Sequence, residues 1–343
     1  MNFIRTIFIL CFVLFSNYLL GQEKVIGLPE IRNYKKTDYK GDPQNWQIEQ
    51  DKNGNLYFAN NKGLYQFDGS SWRRYSLPNS GLIRSFKIDA SGKIFVGGSN
   101  EFGYFKPNSK GKMDYFSLCK SITKDALKFF DIVWKIHLFN DQVIFQTFVA
   151  AYIFKDNKLT VLVPPSRFQF SFQVNNHLYF QDHKMGILEY KNGKLFQQRG
   201  TTVLNGDEIW GMFPMPEKKL LIATINSGLF LYDFEKVTPW NTEANTFIKK
   251  NVCLGGTTLK NNFIVLNSSI NGIIVFDTSG KIIQHINHEK GLQNNTVLAS
   301  FSDNKNNLWL GLNNGMAFID ENSPITLMSY SYGLSSVYAS AIY

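Results

Sequence analysis

Charged residues make up only 18% of this 343-residue chain, which also contains just three cysteines and ten prolines. Beyond the amino terminus, no stretch approaches the roughly 20 apolar residues that a membrane helix requires. So few cysteines exclude a disulfide-rich scaffold. Aromatic residues, in contrast, account for 15% of the chain. That content excludes a disordered chain and suits strands that are buried on at least one face.

The amino terminus has the pattern of a secretory signal peptide. Arg5 precedes an apolar run over residues 7–20, which ends at the small Gly21 before a polar segment. We expect removal of residues 1–21 and a periplasmic or extracellular mature chain. Lipidation of Cys11 is disfavoured, because a leucine precedes it where a small residue is needed.

Signatures of common catalytic sites are absent from the sequence. The five histidines form no HExxH motif, and there is no GxSxG elbow, Walker loop or CxxC pair. Without Cys11, two cysteines remain, Cys119 and Cys253. They fall in different repeats, so a disulfide stays open, but two buried free thiols are the favoured interpretation. We therefore expect no cofactor and no metal.

The net charge of +9 comes from scattered lysines rather than from a basic run. It is compatible with an acidic partner such as an anionic polysaccharide, although a bias in composition is the favoured interpretation. An exported protein does not meet DNA, so no contact with nucleic acid is expected.

Internal repeats dominate the rest of the chain. A short apolar strand, preceded by polar turn residues, recurs seven times at spacings of 35 to 49 residues. These strands begin at Leu56, Ile94, Val143, Leu178, Leu220, Phe263 and Leu308. A glycine, or Ala151 once, follows seven to nine residues later and precedes a second apolar run, as in a hairpin.

Each repeat contains about four strand candidates, and no convincing amphipathic helix is visible. The sequence therefore predicts an all-β, seven-bladed β-propeller of four-stranded blades over residues 22–330. The last residues, 331–343, match the openings of earlier repeats and indicate the start of a further repeat or a truncated second propeller. Alternatively, residues 31–34 supply the outer strand of the last blade, and the tail is a crossover.

Several repeat segments resemble the two-component regulator propeller family. The first repeat carries QNWQIEQD (44–51), LYFAN (56–60) and FDGSSW (67–72), and the last carries NNLWLG (306–311) and NGM (314–316). In that family, propellers usually precede a membrane helix and a cytoplasmic kinase or DNA-binding regulator. The resemblance implies the ligand-sensing end of such a regulator, whose downstream membrane-attached signalling domains are missing from this chain.

One face of the expected propeller gathers aromatic and polar residues. The starts of the inner strands and the turns between second and third strands meet there, because paired strands are antiparallel. Rings among amide and charged groups suit a sugar, which stacks its C–H face and hydrogen-bonds its hydroxyls. The ligand-binding candidates are Trp46, Asn60, Arg84, Asn100, Glu101, Trp134, Trp210, Asn226, Asn267 and Asn313. Equally open for each residue is packing between blades or tolerance of a left-handed turn.

The leading hypothesis is a periplasmic sensor propeller that binds an extracellular oligosaccharide. Two alternatives remain: an exported propeller enzyme such as a polysaccharide lyase, and a protein-interaction scaffold. A carboxylate pair for glycoside cleavage would come from Glu101, Asp207 and Glu208, for which solvated loop acids are the favoured interpretation. Monomer and homodimer are both compatible with the sequence.

Overall fold

The computed structural model describes residues 28–78, 81–122, 130–323 and 326. Residues 31–322 form one compact unit that holds the blades. A second unit comprises residues 1–30 and 323–343, of which little is described. The expected signal peptide and the expected further repeat at 331–343 lie outside the described residues.

The strands are grouped in seven antiparallel sheets, called blades 1 to 7. Strand β1 (Glu30–Tyr34) and helix α1 (Lys36–Tyr39) come first in the chain. Blade 1 has β2–β5, at Asn45–Gln50, Leu56–Asn60, Gly63–Phe67 and Trp72–Tyr75. Blade 2 has β6–β9, at Ser85–Ile88, Ile94–Gly97, Phe102–Pro107 and Met113–Ser117. Blade 3 has β10–β13, at Lys135–Phe139, Gln142–Gln146, Ala151–Lys155 and Lys158–Leu162.

The remaining blades follow the same plan. Blade 4 has β14–β17, at Phe168–Val174, His177–Asp182, Gly186–Lys191 and Lys194–Gln197. Blade 5 has β18–β21, at Ile209–Pro214, Leu220–Thr224, Leu229–Tyr232 and Val237–Pro239. Helix α2 (Glu243–Asn251) leads to blade 6, with β22–β25 at Cys253–Thr258, Ile264–Ser268, Ile273–Phe276 and Ile282–Ile286. Blade 7 has β26–β28, at Val297–Ser302, Leu308–Leu312 and Met316–Asp320, together with β1.

The blades form a closed ring. The first strand of each blade contacts the first strand of the next, and β26 of blade 7 contacts β2 of blade 1. The fold is therefore a seven-bladed β-propeller, as the sequence predicts. The second strand of every blade begins within one residue of its predicted start.

Strand β1 closes the ring by serving as the fourth strand of blade 7, next to β28. Tyr34 at its end stacks on Trp309 of the same blade, with ring centroids 5.8 Å apart. The same ring meets the edge of Trp72 in blade 1, also at 5.8 Å. This arrangement covers an edge of β28 that would otherwise be unpaired. It confirms the alternative in which residues 31–34 form the outer strand of the last blade.

Seven clusters of buried apolar side chains join the blades, one between each pair of neighbours. Between blades 2 and 3, for example, the rings of Phe102 and Phe145 lie 4.6 Å apart. Because both faces of a blade are covered, second strands such as Leu56–Asn60 are buried along their whole length. That explains why their sequences are continuous apolar runs rather than alternating ones.

The hairpin turns correct one detail of the expectation. Most of the turn glycines have a positive φ, as predicted, but Gly103 in blade 2 does not. There, Asn100 takes the left-handed conformation instead, with φ of 51°. Gly103 is needed for a close approach, because a Cβ at this position would lie 2.1 Å from the carbonyl oxygen of Phe116.

Helix α2 contradicts the expectation that the chain contains no amphipathic helix. Its first turn is capped by Thr242, whose hydroxyl accepts a hydrogen bond from the backbone N–H of Asn245. Ala244 and Ile248 are buried against blades 5 and 6. The side chain of Asn245 accepts a hydrogen bond from the N–H of Leu229 at 2.8 Å. The helix thus completes the packing at the start of β20.

Both cysteines of the described chain are free thiols. Cys253 is buried and Cys119 is partly buried. Burial raises the pKa of each thiol to about 12. The absence of a disulfide between them agrees with the favoured interpretation of the sequence. Among the described helices, none combines the length and apolarity that crossing a bilayer would require.

Candidate functional site

A central cavity of about 470 Å³ lies among the first strands of the blades. Every blade contributes to its lining, which is a consequence of the ring arrangement. Five of the predicted site residues meet here: Trp46, Arg84, Trp134, Trp210 and Asn267. Its volume is in the range of ligand pockets, about 300–1,000 Å³.

Aromatic rings form one wall of the cavity. Trp134 stacks on Phe148 at 5.0 Å and meets the edge of Phe170 at 5.6 Å. Phe170 in turn meets Trp210 edge to face at 4.8 Å. The rings therefore form a continuous surface from blade 3 to blade 5. Their mutual contacts restrict their rotation, so the wall is formed before any ligand arrives.

The guanidinium of Arg84 lies between two of these tryptophans. Its central carbon is 3.5 Å from the ring centroid of Trp46 and 5.0 Å from that of Trp134. Burial lowers the pKa of Arg84 to about 10, although the charge of Asp131 acts in the opposite direction. Arg84 consequently remains protonated at neutral pH. Among the described residues, no carboxylate forms an ion pair with it.

Lys135 is a second cation in the cavity lining, and the sequence interpretation missed it. Its Nζ lies 5.7 Å from the ring centroid of Phe170. Burial lowers the pKa of Lys135 to about 8, and the nearby charge of Lys87 lowers it further in the same direction. Lys87 itself is paired with Glu49. All charged side chains of the lining are therefore cationic.

Unpartnered polar atoms are concentrated in this cavity. Among the described residues, five buried side-chain nitrogen or oxygen atoms lack a hydrogen-bond partner, and four of them belong to residues that line it. These four are Arg84 Nε, Trp134 Nε1, Asn267 Oδ1 and Ser300 Oγ. Buried polar atoms are normally paired, and an unpaired one costs about 1–3 kcal/mol.

The other two cavity tryptophans differ from Trp134 in this respect. The indole N–H of Trp46 donates to Asn61 Oδ1 at 2.9 Å, and that of Trp210 donates to Glu208 Oε2 at 3.0 Å. Each of these rings is therefore held by a neighbouring side chain. Trp134 alone among the three has an indole N–H without a hydrogen-bond partner.

The wall formed by blades 6 and 7 combines small polar residues with Leu254, Leu298 and Ala299. Besides Asn267 and Ser300 it contains Gly255, Ser269 and Thr296. The hydroxyl of Thr296 donates to the carbonyl oxygen of Ser269 at 2.6 Å. Short side chains on this wall leave space opposite the aromatic wall. The cavity thus has an aromatic, cationic half and a half of smaller side chains, both polar and aliphatic.

Two predicted site residues, Asn60 and Glu101, do not line the cavity and make hydrogen bonds within the fold. Asn60 is fully buried, and its amide nitrogen donates to the carbonyl oxygens of Asp42 and Gln44, each at 2.8 Å. Glu101 accepts hydrogen bonds from the hydroxyls of Tyr115 and Ser117, at 2.8 and 2.7 Å.

Three further predicted residues, Asn100, Asn226 and Asn313, are exposed in hairpin turns and also lie outside the cavity lining. Asn313 accepts a hydrogen bond from the side chain of Gln44 at 2.6 Å. Asn100 adopts the left-handed conformation, which asparagine tolerates, and this explains its presence in a turn.

The acids proposed for an enzymatic alternative also lie outside the cavity lining. Besides Glu101, they are Asp207 and Glu208, and the latter is engaged by Trp210. Burial alone would raise the pKa of Asp207, but hydrogen bonds from Ser227 and Thr224 outweigh it and lower the pKa. Within the described ranges, no group of three His, Cys, Asp or Glu side chains is arranged to hold a metal ion.

Comparisons with known proteins agree with the architecture. No protein-family profile matches the sequence, and no curated protein matches it either. Among solved structures, the extracellular domain of the putative hybrid two-component system BT4673 from B. thetaiotaomicron matches with a TM-score of 0.68 at 19% identity. The extracellular domain of BT3049 from the same organism matches with a TM-score of 0.67 at 17% identity. This chain shares their propeller fold.

These matches cover most of this chain but less than half of each related extracellular domain. Each covers 86% of this chain but only 40% or 42% of the other, so the chain spans less than half of those extracellular domains. The expected resemblance to two-component regulator propellers is confirmed at the level of fold. Virginiamycin B lyase from Staphylococcus aureus has the same fold, with a TM-score of 0.66 at 13% identity over 87% of this chain and 99% of its own. Propellers of this kind therefore include an enzyme.

Proposed function

We propose that this chain is the ligand-sensing propeller of an exported signalling protein, and that it binds an oligosaccharide in the central cavity. The observation that carries the proposal is that four residues of the cavity lining, at the aromatic wall and opposite it, each hold a polar atom without a hydrogen-bond partner. They combine donors, at Arg84 and Trp134, with an acceptor at Asn267. Such a combination suits a ligand rich in hydroxyl groups.

The aromatic wall supports a sugar in particular. The C–H face of a pyranose ring packs on flat aromatic surfaces, while its hydroxyls point sideways to polar groups. Trp134, Phe170 and Trp210 supply the surface, and the short polar side chains of blades 6 and 7 stand across the cavity from it. A purely apolar ligand would leave the four polar atoms unsatisfied.

A signalling role, rather than catalysis, is supported by two observations. The similar propellers BT4673 and BT3049 are extracellular domains of putative hybrid two-component systems. In this chain the acids considered for glycoside cleavage are engaged in hydrogen bonds and are not part of the cavity lining. On this proposal the domain works outside the cytoplasm and passes its ligand state to membrane-attached signalling domains.

A glycan array combined with product analysis tests the proposal. The purified chain is screened for binding, and each bound oligosaccharide is then incubated with it and examined by mass spectrometry. Trp134→Phe removes the unpartnered N–H but keeps a ring, and Trp240→Phe is the matched control, since Trp240 lies outside the cavity lining. We expect binding that Trp134→Phe weakens and Trp240→Phe leaves unchanged, without products.

Different failures have different meanings. Shortened or unsaturated products would replace the sensor with an exported enzyme such as a polysaccharide lyase. Binding that ignores Trp134→Phe would move the site away from the cavity. If polypeptides bind and no glycan does, the chain is a protein-interaction scaffold.

A further inference from the structure

Within the described ranges, the two cations of the cavity lack anionic partners. Arg84 makes its contacts with the faces of Trp46 and Trp134, and Lys135 lies near the ring of Phe170. Neither side chain forms an ion pair with a described carboxylate. By contrast, neighbouring Lys87 is paired with Glu49. The fold therefore pairs one lysine of this region with a carboxylate, whereas the two cavity cations have no such partner among the described residues.

We propose that the cavity selects a glycan carrying an anionic group, a carboxylate or a sulfate, which is held between Arg84 and Lys135. This inference rests on the proposed function and specifies its ligand class. An unpaired charge removed from water is unfavourable, and an anionic ligand group supplies the missing partner. Hydrogen bonds that involve a charged group are also stronger than neutral ones.

The geometry gives the ligand an orientation. Its anionic group lies on the side of blades 2 and 3, where Arg84 Nε and Trp134 Nε1 both have hydrogen atoms to donate. Its hydroxyls lie toward blades 6 and 7, where Asn267 Oδ1 accepts and Ser300 Oγ can do either. Both groups on the first side are donors only, which is the chemistry of an anion site. The groups on the second side suit neutral hydroxyls.

The chain offers other candidates, but they point less clearly to a ligand. A second cavity, of about 490 Å³, contains Lys52 and Lys305 together with Asp68 and Asp303. The carboxylates of those two acids are occupied by the backbone and side chains of their own loops. Balanced charge and satisfied hydrogen bonds leave nothing there for a ligand to complete.

Matched glycan pairs that differ only in charge test the inference. Oligogalacturonides are compared with their methyl esters, and sulfated galactan oligomers with their desulfated forms, by isothermal titration. A third pair without sugar, benzoate against benzamide, is measured by thermal shift. The chains are the unmodified protein, Arg84→Gln, Lys135→Gln and the control Lys158→Gln, whose lysine is exposed on outer strand β13. Circular dichroism verifies that each variant is folded.

We expect one charged glycan to bind about tenfold or more tightly than its neutral counterpart, since a hydrogen bond to a charged group contributes about 1.5–3 kcal/mol. Arg84→Gln and Lys135→Gln should each remove most of that preference, whereas Lys158→Gln should retain it. The carboxylate and sulfate pairs show which anion is used. If Arg84→Gln does not fold, Lys135→Gln and Arg84→Lys still decide the matter.

The outcomes separate this inference from the proposed function. Equal binding of a charged glycan and its neutral counterpart would overturn the anion site and keep glycan sensing. Stabilisation by benzoate but not benzamide, dependent on Arg84, with no glycan bound, would keep the anion site and overturn the glycan. Failure of all three pairs to bind would overturn both.

Discussion

The guanidinium carbon of Arg84 lies 3.5 Å from the ring centroid of Trp46, within direct contact of its face. The two residues come from blades 2 and 1, and Trp134 of blade 3 stands on the other side of the cation at 5.0 Å. Three successive blades thus fix one cation. The two ring contacts restrict the guanidinium, and its Nε–H has no hydrogen-bond partner in the described part of the chain.

Replacing Trp46 should weaken ligand binding without unfolding the protein. A cation–π contact contributes about 0.5–2 kcal/mol, so Trp46→Ala should reduce affinity for the bound glycan by roughly 2- to 30-fold. Titration of the glycan selected by the array measures this. Trp240→Phe is expected to bind normally. Unchanged affinity in Trp46→Ala would show that the orientation of Arg84 does not matter for binding.

Binding of an acidic glycan should decline as the pH rises through about 8. Burial lowers the pKa of Lys135 to about 8, so its ammonium is present below that pH and is lost above it. Lys87 and His137 also face Lys135, but His137 has its pKa lowered by burial to about 3 and is neutral throughout this range. Affinity measured from pH 6.5 to 9.5 tests the expectation.

Lys135→Arg is the control for that profile, because a guanidinium stays protonated across the range. The variant should bind the acidic glycan with little pH dependence between 6.5 and 9.5. A wild-type profile that is flat, or that matches the profile of Lys135→Arg, would contradict a role for the Lys135 charge.

Acid should destabilise the fold through His137. Burial lowers its pKa to about 3, and in the unfolded chain it returns to about 6.5. The unfolded state therefore binds more protons between these values, and stability is lost as the pH falls from 6.5 toward 3. In the folded chain the ring contacts the hydroxyl of Ser171 at 2.8 Å. Urea unfolding at pH 7, 5.5 and 4 measures the loss.

Two variants make that measurement specific. His137→Asn should flatten the dependence of the unfolding free energy on pH, at the expense of lower stability at pH 7. His183→Asn removes an exposed histidine and should keep the wild-type dependence. The explanation fails if both variants lose stability with acid as steeply as the wild type.

Truncating Tyr34 should weaken closure of the ring. Its ring contacts Trp309, Trp72 and Phe67, so Tyr34→Ala should lower the unfolding free energy by about 2 kcal/mol. Chemical denaturation measures the change. Phe196→Ala, at an exposed aromatic of outer strand β17, is the control and should have a small effect. Equal effects of the two changes would mean that β1 does not secure blade 7.

The sequence predicted the ring well because each second strand is buried on both faces and therefore reads as an apolar run. The convergence of Trp46, Arg84, Trp134 and Trp210 also followed from the strand order, since paired antiparallel strands fix which ends meet. Lys135 was missed because a lysine within a strand resembles any solvated residue until its neighbours in space are known.

Other features that the sequence did not settle also depend on tertiary context. Of the polar turn residues predicted as ligand contacts, Asn60 bonds to the loop before β2 and Glu101 to strand β9, which no local pattern reveals. Helix α2 is short, and what stabilises it is packing against blades 5 and 6 rather than propensity. The closing role of β1 depends on its pairing with β28, which lies at the other end of the described chain.

The most direct test of the central claim, ligand binding in the cavity, is the response of the six tryptophan indole N–H signals in an NMR titration with the selected glycan. Trp134 lines the cavity and its N–H has no hydrogen-bond partner, so its signal should shift most, with smaller shifts for Trp46 and Trp210. Trp240 should not respond. Saturating glycan that leaves the Trp134 signal in place, or that shifts Trp240 instead, would contradict the account.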